Sequence, residues 1–222
     1  MNRPRFFKRK ECLVPTPWTW CVALLACVIW LFVFALSIHP FLAPVHPVNA
    51  RILVVEGWIP EYAIEEAVAD FRTNRYAVVV VTGGPVESGH FLIGYKSLAG
   101  VGAATLRKLG IDSSRIAVVP SPFVQKDRTY EEAVLLRRWL ARNPDLGKSL
   151  NLYSIGCHSR RSQLLYSRVL GKAYTVGIVA CPDRGYDSRR WWHYSNGVRA
   201  VADETLACCY AFLFSLFASA TD

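Results

Sequence analysis

From Cys12 to Ala50 the chain contains no Lys, Arg, Asp or Glu, and the centre of that run reads WTWCVALLACVIWLFVFALSI. About 20 such residues, rising 1.5 Å each, cross a hydrocarbon core of about 30 Å. This predicts one transmembrane helix over 18–38, preceded by a basic tail at 1–17. A cleaved signal peptide is the competing reading, since Val48-Asn49-Ala50 resembles a small-residue cleavage site. Typical signal h-regions, however, run only about 7–15 residues. Trp18 and Trp20 suit an anchor at the membrane interface. Arg3, Arg5, Lys8, Arg9 and Lys10 precede the helix against Glu11 alone, and Arg51 is the first charge after it. Positive charge stays inside, so the expected arrangement is single-pass in the plasma (inner) membrane. The N-terminus would be cytoplasmic and the C-terminal domain periplasmic or extracellular.

The whole chain of 222 residues carries a formal charge of +9, and setting aside five positive and one negative charge of the tail leaves about +5. That mild excess contains no dense basic stripe, which argues against a nucleic-acid partner. It suits anionic headgroups or phosphorylated molecules, and equally a solvated basic surface. Cys157, Cys181, Cys208 and Cys209 lie beyond the anchor with no C-x-x-C and no zinc-like spacing, so no metal site is expected. A Cys157–Cys181 disulfide would need an oxidising compartment.

Residues 39–50, HPFLAPVHPVNA, hold three prolines and read as a short linker that ends the helix. The domain is then 51–222. Apolar runs rich in Val and Ile recur at 52–55, 77–81, 116–119, 150–155 and 174–180, with the continuous character of strands buried on both faces. Between them Ala63, Ile64, Ala67, Val68 and Phe71 share one helical face, as do Ala133, Leu136 and Leu140. The fold class is therefore α/β, a Rossmann-like three-layer sandwich with a five-stranded, mainly parallel sheet whose first strand is central. The apolar stretch 206–218 is too short for a second span and reads as a helix packed on the domain or lying against the bilayer.

Ligands of open α/β sheets bind beyond the carboxyl ends of the strands. Those ends deliver Glu56-Gly57-Trp58, Thr82-Gly83-Gly84, Lys126-Asp127-Arg128-Thr129 and Gly156-Cys157-His158-Ser159-Arg160-Arg161. Gly57, Gly83 and Gly84 would allow close backbone approach to a ligand or a tight turn. Neither a G-x-G-x-x-G nor a Walker motif is present, which disfavours ordinary dinucleotide and P-loop sites. Thr129 and Glu132 fit a T-x-x-E capping box, with Asp127 and Arg128 beside a helix start that favours anions. His158 can move a proton, and Arg160 and Arg161 can hold phosphate or carboxylate bidentately, although arginines on a helix commonly face water. Glu56, Asp127 and His158 are the proton-transfer candidates. Trp191 and Trp192, in the aromatic-basic loop 182–199, would cover the cleft, meet the bilayer, or pack the last helix.

Taken together, these segments resemble the YdcF/SanA/ElyC-like family of envelope proteins over about residues 50–215. The family's glycine-rich turn corresponds to Glu56-Gly57-Trp58, its Gly-Gly turn to Thr82-Gly83-Gly84, and its Asn-Thr-x-Glu-Asn-Ala element to Arg128 through Ala133. Its His-x-x-Arg falls on His158 through Arg161, and its last-helix Glu on Glu204. Glu56 and Trp58 stand where the family has glycines, Arg128 and Glu132 where it has asparagines, and Ser162 where Ala is usual, as in a distinct branch. The resemblance implies a membrane-anchored Rossmann-like domain with a role in cell-envelope or peptidoglycan biogenesis or barrier function. It implies no defined reaction and no known cofactor. One expectation is an enzyme, or degenerate enzyme, acting on a phosphorylated or lipid-linked envelope precursor. A non-catalytic binding or scaffold module is the alternative, and a nucleotide-like cofactor binder the runner-up.

Overall fold

The computed structural model describes residues 14–87 and 94–218, with side chains through Leu213. Most of the basic tail expected at 1–17 lies outside the described residues. The chain forms two compact units that divide after Ser37. The first is dominated by helix α1, Pro17–Leu42, whose remaining residues belong to the second unit. Its 26 residues are long and apolar enough to cross a membrane. Trp30 and Phe34 stack one helical turn apart, with ring centroids 5.6 Å apart.

The helix does not end at 38. It continues through Pro40 to Leu42, although a proline in a helix interior removes a hydrogen bond and costs about 3 kcal/mol. Tertiary packing offsets that cost. Ile38, His39 and Leu42 are buried, Ile38 and Leu42 pack with Cys157 and Val201, and His39 Nε2 lies 3.1 Å from the Tyr186 hydroxyl.

The second unit is built on strands β1 (Val45–His46), β2 (Ile52–Glu56), β3 (Val78–Gly83), β4 (Ile116–Pro120), β5 (Ser149–Ile155) and β6 (Thr175–Cys181). Their spatial order is β1-β6-β5-β2-β3-β4, parallel except for β1 against β6. The expected five strands and the central position of 52–56 are present, and a sixth strand is added from the presumed linker. Two residues are too few to announce a strand by alternation. Side-chain clamping fixes the segment instead: the Val48 N–H donates to Asn151 Oδ1 at 2.8 Å, and Asn151 Nδ2 returns a bond to the Val48 carbonyl at 2.8 Å.

Alternate side chains of a strand leave opposite faces. Leu53 and Val55 accordingly join one core with helices α2 (Glu61–Thr73) and α3 (Leu98–Lys108). Ile52 and Val54 join another with α4 (Arg128–Ala141) and α5 (His158–Leu170). This is the three-layer α/β sandwich. The chain moves outward through β2, β3 and β4, then crosses to β5 on the other side of β2, so the topological switch point lies at the ends of β2 and β5.

The segment expected as a loop over 182–199 is irregular only through Tyr194: it contains a short 3-10 segment, Ser188–His193, and its last residues already form the start of helix α6, Ser195–Ala218. Trp191 packs against the cluster of Ile38, Leu42, Cys157 and Val201. Cys157 and Cys181 are free thiols; Cys157 Sγ faces the Tyr186 hydroxyl at 3.5 Å and Cys181 Sγ faces Glu66 Oε2 at 3.3 Å. Burial pushes them up to about 11 and about 12, so neither is a ready thiolate.

Candidate functional site

A cleft of about 620 Å³ opens beyond the carboxyl ends of the strands, within the size range of small-molecule sites. Of the proton-transfer and ligand-binding candidates from the sequence, it is lined by Gly84, Asp127, Arg128, Thr129, His158 and Arg161, and Trp58, Lys126, Glu132 and Glu204 line it as well. Glu56, Gly57, Gly83 and Arg160 are not in its wall.

Each of those four has a physical reason to be elsewhere. A Cβ on Gly57 would stand 2.5 Å from the Leu98 carbonyl oxygen, and one on Gly83 would stand 2.7 Å from the Ala99 nitrogen. These glycines let the first turn of α3 settle onto the strand ends, rather than admitting a ligand. Arg160, one residue from Arg161 and so about 100° around the helix, donates from Nε to the Phe41 carbonyl at 2.9 Å and lies over the Phe41 ring. Glu56 is fully buried beneath the site: Ser154 donates to one of its oxygens, and Ser162 Oγ donates to Oε1 at 2.7 Å.

Above Glu56 stands His158, the first residue of α5. Its Nε2 is buried, has no hydrogen-bond partner among the described residues, and lies 3.8 Å from Glu56 Oε1. Its Nδ1 lies 2.9 Å from Glu204 Oε1 and 2.9 Å from Arg161 Nη2. Glu204 offers an acceptor and Arg161 a donor, so Nδ1 has a partner whether or not it carries the proton. That arrangement suits a group that exchanges protons. Trp58 packs edge-on to the imidazole, with ring centroids 4.8 Å apart.

Glu204, from α6, grips Arg161 with two bonds, Nε to Oε2 at 2.9 Å and Nη2 to Oε1 at 3.0 Å. Burial opposes ionisation of Glu204, but hydrogen bonds from His158 and Arg161, together with their charges, outweigh it and hold the carboxyl down to about 2. The fork is thereby fixed in orientation. Arg161 Nη1 forms no hydrogen bond among the described residues, and the side chain lines the cleft.

The opposite wall is the start of α4. The expected capping box is not formed, because the helix begins at Arg128 and Thr129 is already its second residue. The N-cap is Asp127, at φ 58° and ψ 37° with no side-chain capping bond. It is the only non-glycine residue with positive φ among those described. Asp tolerates this region better than most residues, and such positions gather at functional sites. Cys157 likewise gives α5 no side-chain cap. Two helix N-termini therefore meet one cleft without side-chain caps, where free N–H groups and the helix dipole favour an anion. Arg128 reaches outward to an exposed pair with Glu87 at 2.7 Å, worth little in water.

Trp191 and Trp192 do not line the cleft; Trp58, Phe123 and Tyr210 supply its aromatic surface. The end of β2 delivers Trp58 to this edge, but no local pattern marks its ring as facing the cleft. Glu132 looked like half of a capping box, and Glu204 was visible only through the family resemblance. The sequence matches no known family model and no curated protein.

Proposed function

We propose that this chain is a membrane-anchored protein of the cell envelope that binds or processes a phosphorylated or lipid-linked precursor in the cleft. The observation that carries this reading is the convergence of the starts of α4 and α5 with the immobilised Arg161 fork on one cavity. His158, held at Nδ1 by Glu204, supplies a proton-transfer group beside it. The YdcF/SanA/ElyC-like resemblance supports the envelope role. The α1 anchor would hold the cleft in a compartment where lipid-linked substrates are abundant. A non-catalytic binding module is favoured by one observation, that Arg161 is already neutralised by Glu204.

Titrating the full chain in detergent micelles with inorganic pyrophosphate and with a polyprenyl phosphate tests the reading and separates a free phosphate from a lipid headgroup. Arg161→Lys keeps the charge but loses the two-point grip on Glu204 and the Nη1 donor that it holds toward the cleft, and is expected to weaken binding about tenfold while folding is retained. Unchanged affinity in Arg161→Lys, or no binding by the parent protein, would sink the proposal. Turnover of either probe, lost in His158→Gln, separates an enzyme from a binding module.

The orientation rests on the five basic residues before the helix. A reporter fused after Asp222 is expected to be active only outside the cytoplasm, and a cytoplasmic signal would refute that orientation.

A further inference from the structure

Two carboxyls are buried around this cleft. Glu56 accepts hydrogen bonds from two serine hydroxyls, as described. Glu132, one turn into α4, is only 5% exposed yet forms part of the cleft wall. The Gly84 N–H and the Thr82 hydroxyl lie on the side of its carboxyl where they favour the charged form, and it forms no ion pair among the described residues. Behind it the Thr82 hydroxyl lies 3.0 Å from the hydroxyl of Tyr166, a residue with no exposed surface. Glu132 thus stands in front of a hydroxyl pair and lines the ligand space.

Two carboxyls sharing a low-dielectric pocket resist being ionised together. Glu56 is engaged as acceptor by Ser154 and Ser162, whereas Glu132 has no ion-pair partner among the described residues and is the carboxyl that borders the cleft. Burial, reinforced by the charge of Glu56, pushes Glu132 up to about 8, against the hydrogen bonds from Gly84 and Thr82 and the charge of Arg128. The groups acting on it are therefore Glu56 from β2, Gly84 and Thr82 at the end of β3, Tyr166 from α5 and Arg128 on its own helix. In the cleft wall α5 adds His158 and Arg161, and α6 adds Glu204.

We propose that Glu132 donates its carboxyl proton in a hydrogen bond to an anionic oxygen of the bound ligand, so that the cleft selects phosphate-like oxyanions through a carboxylic acid. This inference rests on the anion reading of the cleft given above. A carboxylate at this position would repel an oxyanion, whereas a carboxylic acid is a donor that adds no charge and complements the helix N-termini. Binding is then coupled to one proton: the ligand is held while Glu132 is protonated and released as it ionises.

Sulfate is a suitable probe because its own charge stays fixed across the range where Glu132 titrates. For the full chain in micelles, sulfate affinity is expected to fall about tenfold from about pH 6.5 to about pH 9. In Glu132→Gln, which keeps an N–H donor that does not titrate, the affinity ratio between the two conditions is expected to approach unity. Infrared difference spectra between the two proteins at the lower pH should show a protonated-carboxyl band belonging to Glu132. An equal fall in Glu132→Gln would place the titration on another group, such as His158, and overturn the proposal. Sulfate binding with no pH dependence, or absence of the band, would also overturn it while leaving the anion site intact. No sulfate binding by either protein would overturn both readings.

Discussion

Glu132→Gln is expected to make the protein more stable at pH 8, not less. The folded-state carboxyl is raised to about 8 from an ordinary value of 4.5. A raised carboxyl contributes its full stability below the unfolded value, and that contribution is lost as pH rises through the folded value. Between about pH 4.5 and 8 the folded state must hold a proton that the unfolded chain would release. The resulting penalty at pH 8 is on the order of a few kcal/mol. Gln fills the same volume without that penalty, which should raise the thermal midpoint of the full chain in micelles by about 5–10 °C at pH 8 and by much less at pH 4.5. The same pH dependence in Glu132→Gln as in the parent would show that Glu132 does not hold the proton. A residue that lowers stability while bordering a ligand cleft fits the usual exchange of stability for function.

The opposite sign is expected at Glu204. Its folded-state carboxyl is held down to about 2 from 4.5, so its contribution is present above the unfolded value and is lost as pH falls from about 4.5 toward 2. With the side chain 17% exposed, solvent screening is modest, and the contribution is roughly 3 kcal/mol. Glu204→Ala should cost a similar amount at pH 7, because it leaves the guanidinium of Arg161 and the imidazole of His158 half-buried without their acceptor. The thermal midpoint should drop by about 5–10 °C. Arg161→Ala should cost stability as well, which makes Arg161→Lys the cleaner probe of binding. A double-mutant cycle between Glu204→Ala and Arg161→Ala should give a coupling of about 1–3 kcal/mol. A coupling near zero would mean that the two bonds seen here contribute nothing in solution, and that the fork is not held in place for a ligand.

The sandwich and its central strand were readable before the fold was known because their causes are local or periodic. Ile52, Leu53, Val54 and Val55 are all buried because β2 is covered on both faces, and a strand in that position writes a continuous apolar run. Helical periodicity marked Ala63, Ala67 and Phe71 for the core in the same way. The hydrophobic span is likewise set by composition over a fixed length.

Site residues divided along a different line. The ends of β2, β3, β4 and β5 had to converge once the sheet was parallel, so Asp127, Arg128, His158 and Arg161 could be placed near one cleft from strand order. Which way each side chain turns could not. Arg160 and Arg161 are neighbours in sequence, yet one meets Phe41 and the other Glu204. Gly57 and Gly83 read as ligand-facing glycines until the backbone of α3 proved to occupy the space against them. Pro40 was expected to end a helix that packing around Ile38 and Leu42 carries onward.

The sequence by itself determined the layers, the central strand and a helix long and apolar enough to cross a membrane, since each follows from hydrophobic patterning within a short window. Only the tertiary structure decided that Glu132 lies buried near Glu56 and that Glu204 fixes Arg161. Those outcomes depend on burial and on distances between residues far apart in the chain, and the electrostatic energy of a carboxyl is set by what surrounds it in space.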